Sequence, residues 1–121
     1  MRPIRPGQLA LFHGGYFLST GIWPLVSRRA FEAVTGPKKD FWLAQTVGVL
    51  VASVGSTLVL AGKWGRVDQD ARWLAASSAA GLAAIDVVYV ARGRISKVYL
   101  ADAAIEAALV LAWVASWTGR N

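Results

Sequence analysis

Residues 41–62 read FWLAQTVGVLVASVGSTLVLAG, a run of 22 positions without a charged side chain. At about 1.5 Å of rise per residue, a helix of that length reaches about 33 Å, enough for a hydrocarbon core of about 30 Å. A strand is disfavoured because polar and apolar positions do not alternate. Lipid offers no partner for backbone N–H and C=O groups, and a single helix satisfies those groups within its own segment. The stretch therefore reads as a transmembrane helix.

Three further low-charge stretches, residues 8–26, 73–91 and 98–117, have comparable length. All 13 Lys and Arg residues fall outside the four segments, as the cost of a cation in hydrocarbon requires. The chain of 121 residues is 55% hydrophobic and 17% charged, which leaves room for one domain and is too apolar for a typical soluble one. The sequence thus predicts an all-α membrane protein, a single domain over residues 1–121. Short connections make sequential helices antiparallel neighbours, so the expected architecture is a four-transmembrane-helix up-down bundle. The first segment follows Arg2 and Arg5 as a secretory signal would. No A-x-A-like cleavage site comes after it and Arg28-Arg29 close it, so it is expected to be a retained helix.

The connection from Ser27 to Asp40 places Phe31 and Val34 three apart among charged residues. That spacing predicts a short interfacial helix in the first loop. Gly36 can adopt the left-handed conformation that ends it, Pro37 prevents continuation, and Asp40 can cap the next segment. Trp23, Trp42, Trp64, Trp73, Trp113, Trp117, Tyr89 and Tyr99 lie mostly near segment ends, where an amphipathic ring bridges acyl chain and headgroup.

A net charge of +6 invites a nucleic-acid reading, but the cations are scattered over every connection, not gathered on one face. Contact with anionic headgroups of membrane lipids explains them more simply. Arg28, Arg29, Lys38, Lys39, Arg92, Arg94 and Lys97 lie on one side of the expected bundle. Arg2, Arg5, Lys63, Arg66, Arg72 and Arg120 lie on the other, a balance too even for the positive-inside rule to set an orientation. The chain has no cysteine and one histidine, so neither thiolate chemistry nor a multi-histidine metal centre is expected. Nucleophile, phosphate-loop and zinc motifs are absent from the sequence. The reading is a protein that is not an enzyme and carries no cofactor.

Small residues recur every four positions as Gly48, Ala52 and Ser56, as Ala76, Ala80 and Ala84, and as Ala104, Ala108 and Ala112. Such stripes let helices approach closely and are expected to mark contact faces, within the bundle or between copies.

Three carboxyl groups fall inside expected spans: Asp86 in the third, Asp102 and Glu106 in the fourth. Intramembrane carboxyl groups usually face protein or water and often carry function. Asp102 and Glu106 are four apart and share a helix face, with Ala104 and Ala108 opposite. Asp86 and Asp102 lie at similar depth below the same surface. Gln45 and Thr46 enter from that surface, Ser19 and Thr20 approach it, and Tyr89 lies near the rim. The expected layer therefore comprises Asp86, Asp102, Glu106, Gln45, Tyr89 and Thr20. In a structural reading, Asp86 and Asp102 pair with Arg28, Arg92, Arg94 or Lys97 reaching inward, and Glu106 is neutral or hydrogen-bonded to Gln45. In a functional reading, the layer binds a proton, a cation or a polar headgroup. His13, followed by Gly14 and Gly15, invites a heme or quinone reading. With no second histidine, a hydrogen-bonded interfacial residue is favoured.

The stretch Gly21-Ile22-Trp23-Pro24-Leu25, with Phe31-Glu32-Ala33-Val34-Thr35-Gly36-Pro37-Lys38, Trp42-Leu43 and Thr46-Val47-Gly48, resembles an uncharacterised family of small bacterial four-helix membrane proteins. The resemblance covers roughly the first half of the chain. It implies a multi-pass location in the bacterial inner membrane, and it transfers no activity and no site residue. The first functional expectation is an accessory or interaction subunit, as a homo-oligomer or in a larger membrane complex. The alternative is a small proton-coupled transporter using Asp86, Asp102 and Glu106. It is similar to the small multidrug-resistance carriers in size and span number, but departs from them in lacking an acidic residue in the first helix. A lipid or hydrophobic-ligand binding bundle is the third.

Overall fold

The computed structural model describes residues 5–118 and is all-helical over them. Arg2 and Arg120, counted above among the cations, lie outside the described residues. The helices are α1 (Pro6–Val26), α2 (Arg28–Thr35), α3 (Phe41–Lys63), α4 (Gln69–Ala91) and α5 (Tyr99–Thr118). By length and composition, α1, α3, α4 and α5 are each apolar enough to cross a membrane.

Boundaries follow local chemistry. Helix α1 begins at Pro6, whose missing N–H costs nothing in a first turn. Helix α4 starts four residues before the charge-free stretch does. Asp68 supplies the reason, accepting a 2.9 Å hydrogen bond from the Ala71 N–H. The first turn of a helix tolerates charge that its middle does not, so Asp70 and Arg72 are helical although they bound the apolar segment. Asp40, expected to cap α3, makes no side-chain cap bond.

The short helix in the first loop is present. Ser27 accepts from Ala30 N–H at 3.1 Å to start it, and Gly36 ends it at φ 96°. Its residues pack back onto the neighbouring helix ends. Phe31 stands edge-on to Trp23 at 5.2 Å and to Phe41 at 6.0 Å, and Arg28 lies 4.8 Å over the Phe41 ring. Glu32 accepts from the Lys38 backbone N–H at 2.7 Å and from Arg28 Nε at 3.2 Å. The Lys38 N–H first, and the Arg28 guanidinium second, hold its carboxyl below the ordinary glutamate range.

The bundle is built from two hairpins. Helix α1 packs closely along α3 and α4 along α5, while contacts between the hairpins are sparser. The α1–α3 seam is a ladder of glycines. Gly7 faces Gly62, Gly14 faces Gly55 and Gly21 faces Gly48. A Cβ added at Gly14 would lie 2.6 Å from the Gly55 carbonyl oxygen, one at Gly55 2.7 Å from that of Gly14, and one at Gly21 2.6 Å from that of Gly48. Only hydrogen fits, and the close backbones suit Cα–H···O contacts. The repeat is seven residues on both helices, the spacing that keeps one seam aligned along a nearly antiparallel pair.

Within the bundle, the four-residue stripes hold only in part. Gly48 and Ala52 do meet α1 at Gly21, but Ser56 is exposed. On α4 the buried alanines are Ala75, Ala76 and Ala79, and Ala80 and Ala84 are exposed. On α5, Ala104 and Ala108 face outward and Ala112 is half-buried. Ala103, Glu106, Leu109 and Trp113 claim the inner face instead. Bulk and polarity that need burial win that face, and alanine is left for the outside.

Leu9 and Ala10 of α1, Leu58 of α3, Ala75, Ala76 and Ala79 of α4, and Leu109 and Trp113 of α5 form one apolar core. All of them lie toward the end remote from α2. The other half of the interior holds the buried Asp86 and Glu106 beside Phe17, Phe41 and Ala103.

Candidate functional site: a carboxyl cluster in the bundle interior

Asp86 enters from the last third of α4, and Asp102 and Glu106 come from the first two turns of α5. Asp86 is 6% exposed and Glu106 1%. Asp102 is half-buried and close enough to both other carboxyl groups to interact with each. The Tyr16 hydroxyl of α1 donates to Asp102 Oδ1, closing the group across the seam between the hairpins. A carboxylate only accepts hydrogen bonds, so two carboxyl groups can bond each other only with a proton between them. Three carboxyl groups so placed can share protons between them.

Polar atoms remain to spare. Asp86 Oδ2 and Glu106 Oε1 are buried without a hydrogen-bond partner. Burying such an oxygen unpaired costs about 1–3 kcal/mol, so structures rarely retain one without a use.

Among the described residues, no basic side chain is paired with the cluster. Among the described residues the only ion pair is Arg28–Glu32. Arg28 also donates to the Lys38 carbonyl, Lys38 donates to the Thr35 and Gly36 carbonyls, and Arg92 lies 5.9 Å over the Tyr89 ring. The expected inward pairing of Asp86 and Asp102 with arginine or lysine is therefore not found. These cations have partners closer to the helix ends, where they stay near water.

The polar layer is also narrower than its sequence outline. Asp86, Asp102 and Glu106 are brought together. Gln45 is half-buried and no hydrogen bond joins it to Glu106, which interacts with Asp102 instead. Thr20 turns its hydroxyl to the carbonyls of Tyr16 and Phe17 at 3.0 and 3.4 Å. Thr46 and Ser19 bond the carbonyls four residues back in their own helices, at 2.9 Å each. Tyr89 stands at the rim beside Arg92. Tyr16 is the member that sequence reasoning missed. Its signal was position: it lies four residues before Thr20, on the same face of α1, in the middle of an apolar helix where a phenol needs a partner.

His13 is not interfacial. It is fully buried, and its Nδ1 accepts a 3.0 Å bond from Trp113 Nε1–H, also fully buried. The partner missing from the histidine count is thus an indole. With Nδ1 accepting, the neutral ring carries its hydrogen on Nε2. That atom is buried without a partner. The Phe17 ring stands edge-on to His13 at 4.3 Å and tilted to Tyr16 at 6.4 Å.

No group of three or more His, Cys, Asp or Glu among the described residues is arranged to hold a metal ion. What the cluster can do is hold, share and release protons, or receive a cation in their place. No family model, curated protein or solved structure matches the chain in comparisons with known proteins.

Proposed function

We propose that this chain is a multi-pass inner-membrane protein of a bacterium, a four-span up-down bundle with α2 on the bilayer surface, and that it works as a small proton-coupled transporter. Asp86, Asp102 and Glu106 are its proton and cation site, and Tyr16 orients Asp102. One observation carries the reading: three carboxyl groups meet in the interior of an apolar bundle with no lysine or arginine paired to them. An uncompensated charge in hydrocarbon is expensive, so without a base the cluster is held neutral by protons, and protons so held can be exchanged.

The accessory-subunit reading gains less. The outward Leu50, Leu111 and Val114 suit lipid as well as they suit a neighbouring protein, so they do not favour a partner or a homo-oligomer.

The test is proton-driven current in proteoliposomes. Asp102→Asn or Glu106→Gln should reduce the current at least tenfold while the purified protein keeps its helicity and its elution volume. A current unchanged by both substitutions would refute transport through this site.

A further inference from the structure

Two side-chain bonds cross from α1 to α5, Tyr16 to Asp102 and Trp113 to His13. The lower number on α1 pairs with the higher on α5, so the helices run antiparallel and the second bond lies further from the α2 end. His13 precedes Tyr16 by three residues and Glu106 follows Asp102 by four, so each lies one turn deeper than the first bond. Glu106 also precedes Trp113 by seven residues, two turns along the same side of α5. His13 and Glu106 therefore share the interior bracketed by the two bonds, and both are fully buried.

Each has one polar atom to spare, and the two atoms are complementary. An indole N–H only donates, so the ring nitrogen that accepts from Trp113 bears no hydrogen, and in the neutral ring Nε2 carries it. That Nε2–H has no acceptor, and Glu106 Oε1 has no donor. Asp86 Oδ2 is a second buried acceptor without a donor. Tyr16 gives its hydroxyl hydrogen to Asp102, and α3 brings no charged side chain between residues 41 and 62. Of the groups around the cluster, His13 thus holds the donor still to be used. A water with a donor on one side and acceptors on the other satisfies such a set of buried atoms.

Position gives the pair a purpose. Residues 6–12, 55–62, 73–85 and 107–117, which form the half of the spans remote from α2, carry no ionisable side chain. His13 is therefore the first titratable group that a proton crossing that half would meet, and Glu106 the next.

We infer that His13 is a positioning residue of the proton site: Trp113 fixes its tautomer, and its Nε2–H donates through one buried water to Glu106, stabilising that carboxyl group when it is ionised. The purpose rests on the transporter reading and deepens it. A carboxyl group surrounded only by other acids holds its proton, whereas a neutral N–H donor lets it release one without bringing a second charge into hydrocarbon.

The chain has one histidine, so isotopic labelling of histidine leaves one imidazole to follow by nitrogen NMR in nanodiscs, beside infrared spectra of the same samples. The wild-type ring should be a single tautomer with hydrogen on Nε2. Its Nε2 resonance should move over the pH range in which the protonated-carboxyl infrared band is lost, and Glu106→Gln should abolish that movement. His13→Phe should raise the pH at which the band is half lost by about one unit or more, the effect of removing a hydrogen bond to a charged group. His13→Gln, which restores an N–H donor, should return it towards the wild-type value. A histidine present only for packing would leave the band's titration unmoved in His13→Phe, and that result would overturn the inference. So would an Nε2 resonance indifferent to the infrared titration, which the wild-type protein reads even where His13→Phe does not fold. Failure of the transporter reading shows separately, as absence of proton-driven current in the wild-type protein, whatever the spectra.

Discussion

Gly55→Val and Gly21→Val are each expected to destabilise the α1–α3 hairpin by about 3 kcal/mol or more, at the upper end of overpacking costs. At these positions a new Cβ meets backbone: the Gly14 carbonyl oxygen at 2.7 Å from position 55, and the Gly48 carbonyl oxygen at 2.6 Å from position 21. A side chain in the way could rotate aside, but a helix backbone cannot, so relief requires the two helices to separate along their length. Separation breaks the whole ladder, and the effect should exceed that of most single substitutions in this chain. Gly15→Ala is the control, because a Cβ there has nothing within 4 Å. Replacing a helical glycine where the Cβ has open space is neutral or favourable by up to about 1 kcal/mol. Thermal unfolding in mild detergent, followed by circular dichroism, reads all three. Valine variants that melt with the wild type would mean that the seam is not the contact holding α1 to α3.

Trp113→Ala is expected to cost about 3–5 kcal/mol, the range for removing a buried aromatic side chain. Trp113 is fully buried in the apolar core and reaches across the seam to His13. Its loss leaves a cavity whose lining loses its dispersion contacts, and deprives His13 Nδ1 of its donor. Trp113→Phe separates the two terms by keeping most of the packing and removing only the N–H. It should cost less than half as much. The same melts measure both, and a Trp113→Ala protein as stable as wild type would show that the hairpins are not joined at this point.

The number and nature of the long helices are legible in the sequence because hydrocarbon imposes one crude requirement, a charge-free run of set length, and residues 41–62 meet it openly. The short α2 is legible through the Phe31–Val34 spacing and through Gly36 and Pro37, which end it without tertiary help. Helix ends are less so: Asp68 extends α4 beyond its apolar run through a single side-chain bond. The seam was harder still. Glycines seven apart at 7, 14 and 21 and at 48, 55 and 62 are visible in the chain, but a four-residue pattern also starts at Gly48, and only packing decides between the two. The meeting of Asp86 with Asp102 follows from depth along antiparallel helices. That Tyr16 joins them, and that Trp113 reaches His13, depends on how one hairpin is rotated against the other, which no local pattern encodes.

The central claim is that Asp86, Asp102 and Glu106 share protons inside the bundle, and infrared difference spectroscopy of the protein in lipid tests it most directly. The wild type should show a protonated-carboxyl carbonyl stretch that shifts on deuteration and is lost or displaced in Glu106→Gln. A spectrum holding only ionised carboxylate bands, identical in the wild type and Glu106→Gln, would contradict it.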